Sequence, residues 1–213
     1  MAAYDLEEQE QIAELKAWWT QYGSFVVTVL LAVTLSVVGW QLWNKYRSTG
    51  ATEAGALYSD LQQAALTGDA AQTRKIADKL ISAYGNTVQA QMGALLSAGM
   101  QFQANDLDNA RPHLEWAADK GKDAILRDLA RLRLAAVLLQ QGASNEALQR
   151  LQPAPEGHLL ARFEDLRGDV LAAQGKAGEA RAAWEAASKA LGNLANDSGM
   201  RDVIRIKLET LKG

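Results

Sequence analysis

The run from Phe25 to Val38 reads FVVTVLLAVTLSVV, and no charged side chain lies between Lys16 and Lys45. An α-helix rises 1.5 Å per residue, so about 20 apolar residues cross a hydrocarbon core of roughly 30 Å. Tyr22-Gly23-Ser24 and Gly39 to Trp43 extend the run to that length, which predicts a membrane-spanning helix over residues 22–43. Trp18, Trp19 and Tyr22 before it, and Trp40, Trp43 and Tyr46 after it, are placed where amphipathic rings seat at the headgroup level, so the lipid bilayer is the first expected partner. A buried core helix rarely combines this length, freedom from charge and two aromatic belts. A cleaved signal peptide could use Ala54-Gly55-Ala56 as its processing site, but the apolar block is long, late and preceded by an acidic tail. An uncleaved anchor is expected.

Beyond residue 55 the pattern changes from a continuous apolar block to spaced small residues. Ala110-x3-Leu114-x2-Ala117, Ala147-x3-Leu151 and Ala180-x3-Trp184-x2-Ala187 place their leading alanines 37 and 33 residues apart. Twelve residues before each alanine is another small residue (Ala98, Ala135, Gly168), and five before it is a turn former (Asn105, Gly142, Gly175). Each unit therefore reads as helix, tight turn, helix: the small residues let the pair approach, and the Leu or Trp one turn on fills the gap to the next pair. Leu61, Gly68-Asp69, Thr73 and Ala77 fit a degenerate first unit, and Ser198 to Lys212 reads as a closing helix with Val203, Ile206 and Leu211 inward. Asp108 or Asn109 is placed to cap the helix carrying Pro112 in its first turn, and Pro153 and Pro155 stop the helix ending near Gln152. The fold class is all-α, a single N-terminal transmembrane helix followed by a tetratricopeptide-like α-solenoid; a generic helical bundle is the alternative. The organisation is an acidic tail over 1–21, the span over 22–43, a juxtamembrane linker over 44–55 and the repeat domain over 56–213. In the tail, Asp5 and Glu8 have capping-box spacing, and Leu6, Ile12 and Leu15 fall near one helical face.

A solenoid's product is a concave binding surface lined from the first helix of each repeat. Here that lining is Met92, Leu95 and Phe102, then Leu129, Leu132 and Leu139, then Arg162, Asp165 and Asp169, grading from apolar to charged. Met and Phe suit varied partners because both repack around different side chains.

Composition narrows the remaining chemistry. The acidic excess sits in the tail (Asp5, Glu7, Glu8, Glu10 and Glu14 against Lys16), which leaves the rest nearly neutral and points away from nucleic acid. Without cysteine there is no disulfide, iron–sulfur or thiolate zinc site. His113 and His158 stand in unrelated settings, and no phosphate-loop, dinucleotide or nucleophile-elbow string occurs, so neither catalysis nor a cofactor is expected. Asp165 and Asp169 could share a helix face as a metal pair, but Arg162 one turn back offers ordinary charge pairing, and no metal is expected. The flanking charges, Lys16 before and Lys45 and Arg47 after, lean slightly towards an external N-terminus.

Gly39-Trp40-Gln41-Leu42-Trp43-Asn44, the turn at Gly85-Asn86-Thr87, and Leu166-Arg167-Gly168-Asp169 leading to Ala183-Trp184-Glu185-Ala186 resemble the YfgM family of single-span proteins of Gram-negative bacteria, ancillary subunits of the SecYEG translocon. The resemblance runs along the whole chain. It implies an inner-membrane protein with a cytoplasmic N-terminus and a periplasmic repeat domain. Its implied partners are the translocon, the membrane-anchored chaperone PpiD and unfolded exported proteins, which it would help pass to periplasmic chaperones. The basic flank before the span is poorer than the family leads one to expect. A static scaffold for an envelope or signalling complex, with a regulatory cytosolic tail, is the alternative.

Overall fold

The computed structural model describes residues 2–192 and 198–210, and their side chains except those of 2–10 and 42–49. Asp5, Leu6, Glu8, Trp43, Tyr46 and Leu211, singled out above, therefore lie outside the described side chains. The chain divides into two compact units, residues 1–50 and 51–213, and α1 (Ala2–Leu66) contributes to both. No strand occurs among the described residues.

In the first unit, one stretch within Gln11–Gln41 is long and apolar enough to cross a membrane, and its side chains face outward almost throughout. Three hydroxyls inside it are satisfied by the helix itself: Thr28 donates to the Ser24 carbonyl (2.7 Å), Thr34 to Leu30 (2.8 Å) and Ser36 to Ala32 (2.7 Å). Such bonds let a polar side chain sit among lipid tails without an unpaired donor.

In the second unit, the end of α1 pairs with α2 (Ala70–Tyr84), α3 (Val88–Gln103) with α4 (Leu107–Asp119), α5 (Ala124–Gln140) with α6 (Ser144–Arg150), and α7 (Leu160–Ala173) with α8 (Ala177–Leu191). A single 3₁₀ turn (Gly157–Leu159) precedes α7, and α9 (Ser198–Thr210) follows α8. The turn within each pair has the same construction. Gly68, Asn105, Gly142 and Gly175 adopt φ of 75°, 57°, 78° and 74°, and the next residue donates its N–H back to Ala64, Gln101, Leu138 and Leu171 in turn. This is the left-handed helix stop that glycine, and less readily asparagine, supplies. Five residues on, Thr73, Ala110, Ala147 and Ala180 are all fully buried, which extends the repeat through the degenerate first unit.

Several boundaries differ from those expected. Asp106, not Asp108 or Asn109, caps α4, accepting from the Asn109 N–H at 3.3 Å. Pro112 consequently lies in the second turn of α4; it faces solvent, and the carbonyl of Asp108 loses its helical donor. On α9 the buried residue is Ile204, while Val203 and Ile206 are exposed, because α9 packs one residue out of the anticipated register.

Candidate protein-binding groove

Around the apolar helix, Trp18 lies against Trp19 (ring centroids 6.5 Å) and Tyr22 (5.8 Å), forming an aromatic cluster at one end. Trp40 is exposed near the other end.

The side chains expected to line the groove fall into three settings. The first is a mainly apolar recess of about 300 Å³ between α3 and α5, lined by Ala98, Gly99 and Phe102 on one side and Arg133, Ala136 and Val137 on the other. Phe102 is 42% exposed at its wall, and Met92 is exposed on the same helix. Leu95 is not available there. It is 5% exposed and packed in the main core, because α4 and α5 close over that side of α3. Leu129, Leu132 and Leu139 of α5 are half-buried against the same core.

The second setting brings Leu129 and Arg162 together with Ile125, His158 and Leu159 in a cleft of about 410 Å³, one side of which is Met200 of α9. The third holds Asp165 and Asp169. Their cationic partner is Lys207 of α9, not Arg162: its ammonium lies 2.8 Å from Asp165 Oδ1 and 2.7 Å from Asp169 Oδ1, and 5.8 Å from the centre of the Trp184 ring. Trp184 Nε1 donates to the Asp165 carbonyl and to Asp169 Oδ1, both at 3.1 Å. The closing helix therefore packs on α8, in the place a further first helix would take, and reaches α7 through Lys207.

Two carboxylates around one ammonium leave an excess negative charge. Burial raises the pKa of Asp165, the neighbouring Asp169 acts in the same direction, and the Lys207 hydrogen bond and charge oppose both. Burial works against the charge of Lys207, but its hydrogen bonds and attraction to both carboxylates outweigh it and raise its pKa. Both shifts express a site that favours one more positive charge.

The loops that hold α3 and α5 in place are tied by buried polar side chains. Gln91 donates to the carbonyls of Ala117 (3.2 Å) and Asp123 (3.1 Å) and accepts from the Asp123 N–H (2.8 Å), so one α3 side chain fixes the start of α5. Arg131 donates to Asp128 (2.9 Å), to the Arg150 carbonyl (3.1 Å) and to the Pro153 carbonyl, holding the end of α6 and the segment after it. His113 is a buried packing residue whose Nε2 meets Asp78 at 2.8 Å, joining α4 to α2.

Gly99, Ala136 and Arg133, which help line the recess, and Lys207 were not recognised from the sequence. Gly99 and Ala136 were legible, since each directly follows the repeat's small position at Ala98 and Ala135. Lys207 was not, because α9 lies outside the repeat period.

Comparison with known proteins agrees with this architecture. The family profile for a Tetratricopeptide repeat-like domain matches residues 16–213. A protein of Neisseria gonorrhoeae named Ancillary SecYEG translocon subunit is 31% identical over 214 residues, covering all of both chains. Proteins of the same name from Escherichia coli and Haemophilus influenzae are 30% identical (85% of this chain, 87% of the relative) and 27% identical (88% and 91%). With its repeats matched by that profile and its whole length aligned to the Neisseria gonorrhoeae relative, the chain belongs to the family of ancillary SecYEG translocon subunits with a tetratricopeptide repeat-like domain.

Proposed function

We propose that this protein is a membrane-anchored, non-catalytic adaptor of the Sec translocon that binds exported chains and helps pass them to periplasmic chaperones. The observation that carries the reading is the apolar recess at Phe102, open on the binding face of a repeat domain whose chain also bears a helix apolar enough to span a bilayer. Full-length similarity to an ancillary translocon subunit supports a place beside the translocon. On this reading residues 22–43 span the inner membrane and residues 1–21 are cytoplasmic. The segment 44–55 joins the span to a periplasmic repeat domain over 56–213. PpiD is a neighbouring partner, and Trp18, Trp19, Tyr22, Trp40, Trp43 and Tyr46 seat at the two interfaces. Long domains cross membranes largely regardless of flanking charge, so the weak basic bias is a small objection to this orientation.

The test is photo-crosslinking in cells from Met92, Phe102 and Leu132. Capture of translocon subunits, PpiD or emerging chains is expected at Met92 and Phe102, with less at half-buried Leu132. No capture of any of these from the three sites would defeat the proposal. A stoichiometric complex indifferent to export substrates would favour a static scaffold instead.

A further inference from the structure

We draw no further inference here: the strongest candidate, the open side of α9 where Val203 and Ile206 are exposed beside the Asp202–Arg205 ion pair, carries nothing, because nothing in the structure shows what covers it.

Discussion

Gly168 and Gly99 occupy neighbouring places in their repeats but have opposite surroundings. A Cβ at Gly168 would collide with the Trp184 ring, whose indole is fixed by its bonds to Asp165 and Asp169, whereas a Cβ at Gly99 meets open space. Gly168→Ala is therefore expected to destabilise the last repeat by about 1–3 kcal/mol through overpacking. Gly99→Ala should be neutral or stabilise by up to about 1 kcal/mol through helix propensity. Urea unfolding followed by circular dichroism compares the pair, and equal midpoints for the two variants would show that Trp184 yields at no cost. The spacing of small residues was readable in the sequence, but the collision that makes one of them obligatory was not. It depends on a tryptophan from the following helix.

Among the elements, α9 carries the clearest pH dependence. The pKa of Lys207 is raised in the folded protein, so the stabilisation it gives is complete below the ordinary lysine value near 10.4 and is lost as pH rises through the higher folded-state value. The raised pKa of Asp165 has the same sign at the acid end, favouring the folded form while that carboxyl is protonated. Because the chain has no cysteine, a single nitroxide label at exposed position 203 reports on α9 alone. Its spectrum should stay immobilised at neutral pH and sharpen above the Lys207 pKa. In Lys207→Arg, which keeps its charge at that pH, the sharpening should be absent. Identical alkaline behaviour in both proteins would assign the docking of α9 to Ile204 instead. The sequence announced a closing helix but not where it docks, since a helix outside the repeat has no periodic position to place it. The same limit explains Leu95. Period identifies the side of α3 on which it lies, but not how far α4 and α5 close over it.

For the molecule as a whole, substantial packing in the second unit joins each helix to neighbours close in sequence. In such an array stability is a sum of local and nearest-neighbour terms. Leu61→Ala, which removes a fully buried side chain packed with Ala77, Leu80 and Ala90, should cost about 2–5 kcal/mol locally. Hydrogen exchange on the full chain should accelerate in α2 and α3 and remain unchanged in α7 and α8. Uniform acceleration would mean a single cooperative unit. The four left-handed turns were legible because their geometry requires specific residues, and they carry most of the architecture. One consequence follows from the size of the recess between α3 and α5. A partner meets one recess of about 300 Å³ between two helices, a footprint at the small end of protein interfaces, below about 1,200 Å². Contacts of that size are typical of transient encounters, and differences in affinity are expressed mostly in the dissociation rate. Short residence time is what the proposed handover of exported chains would require.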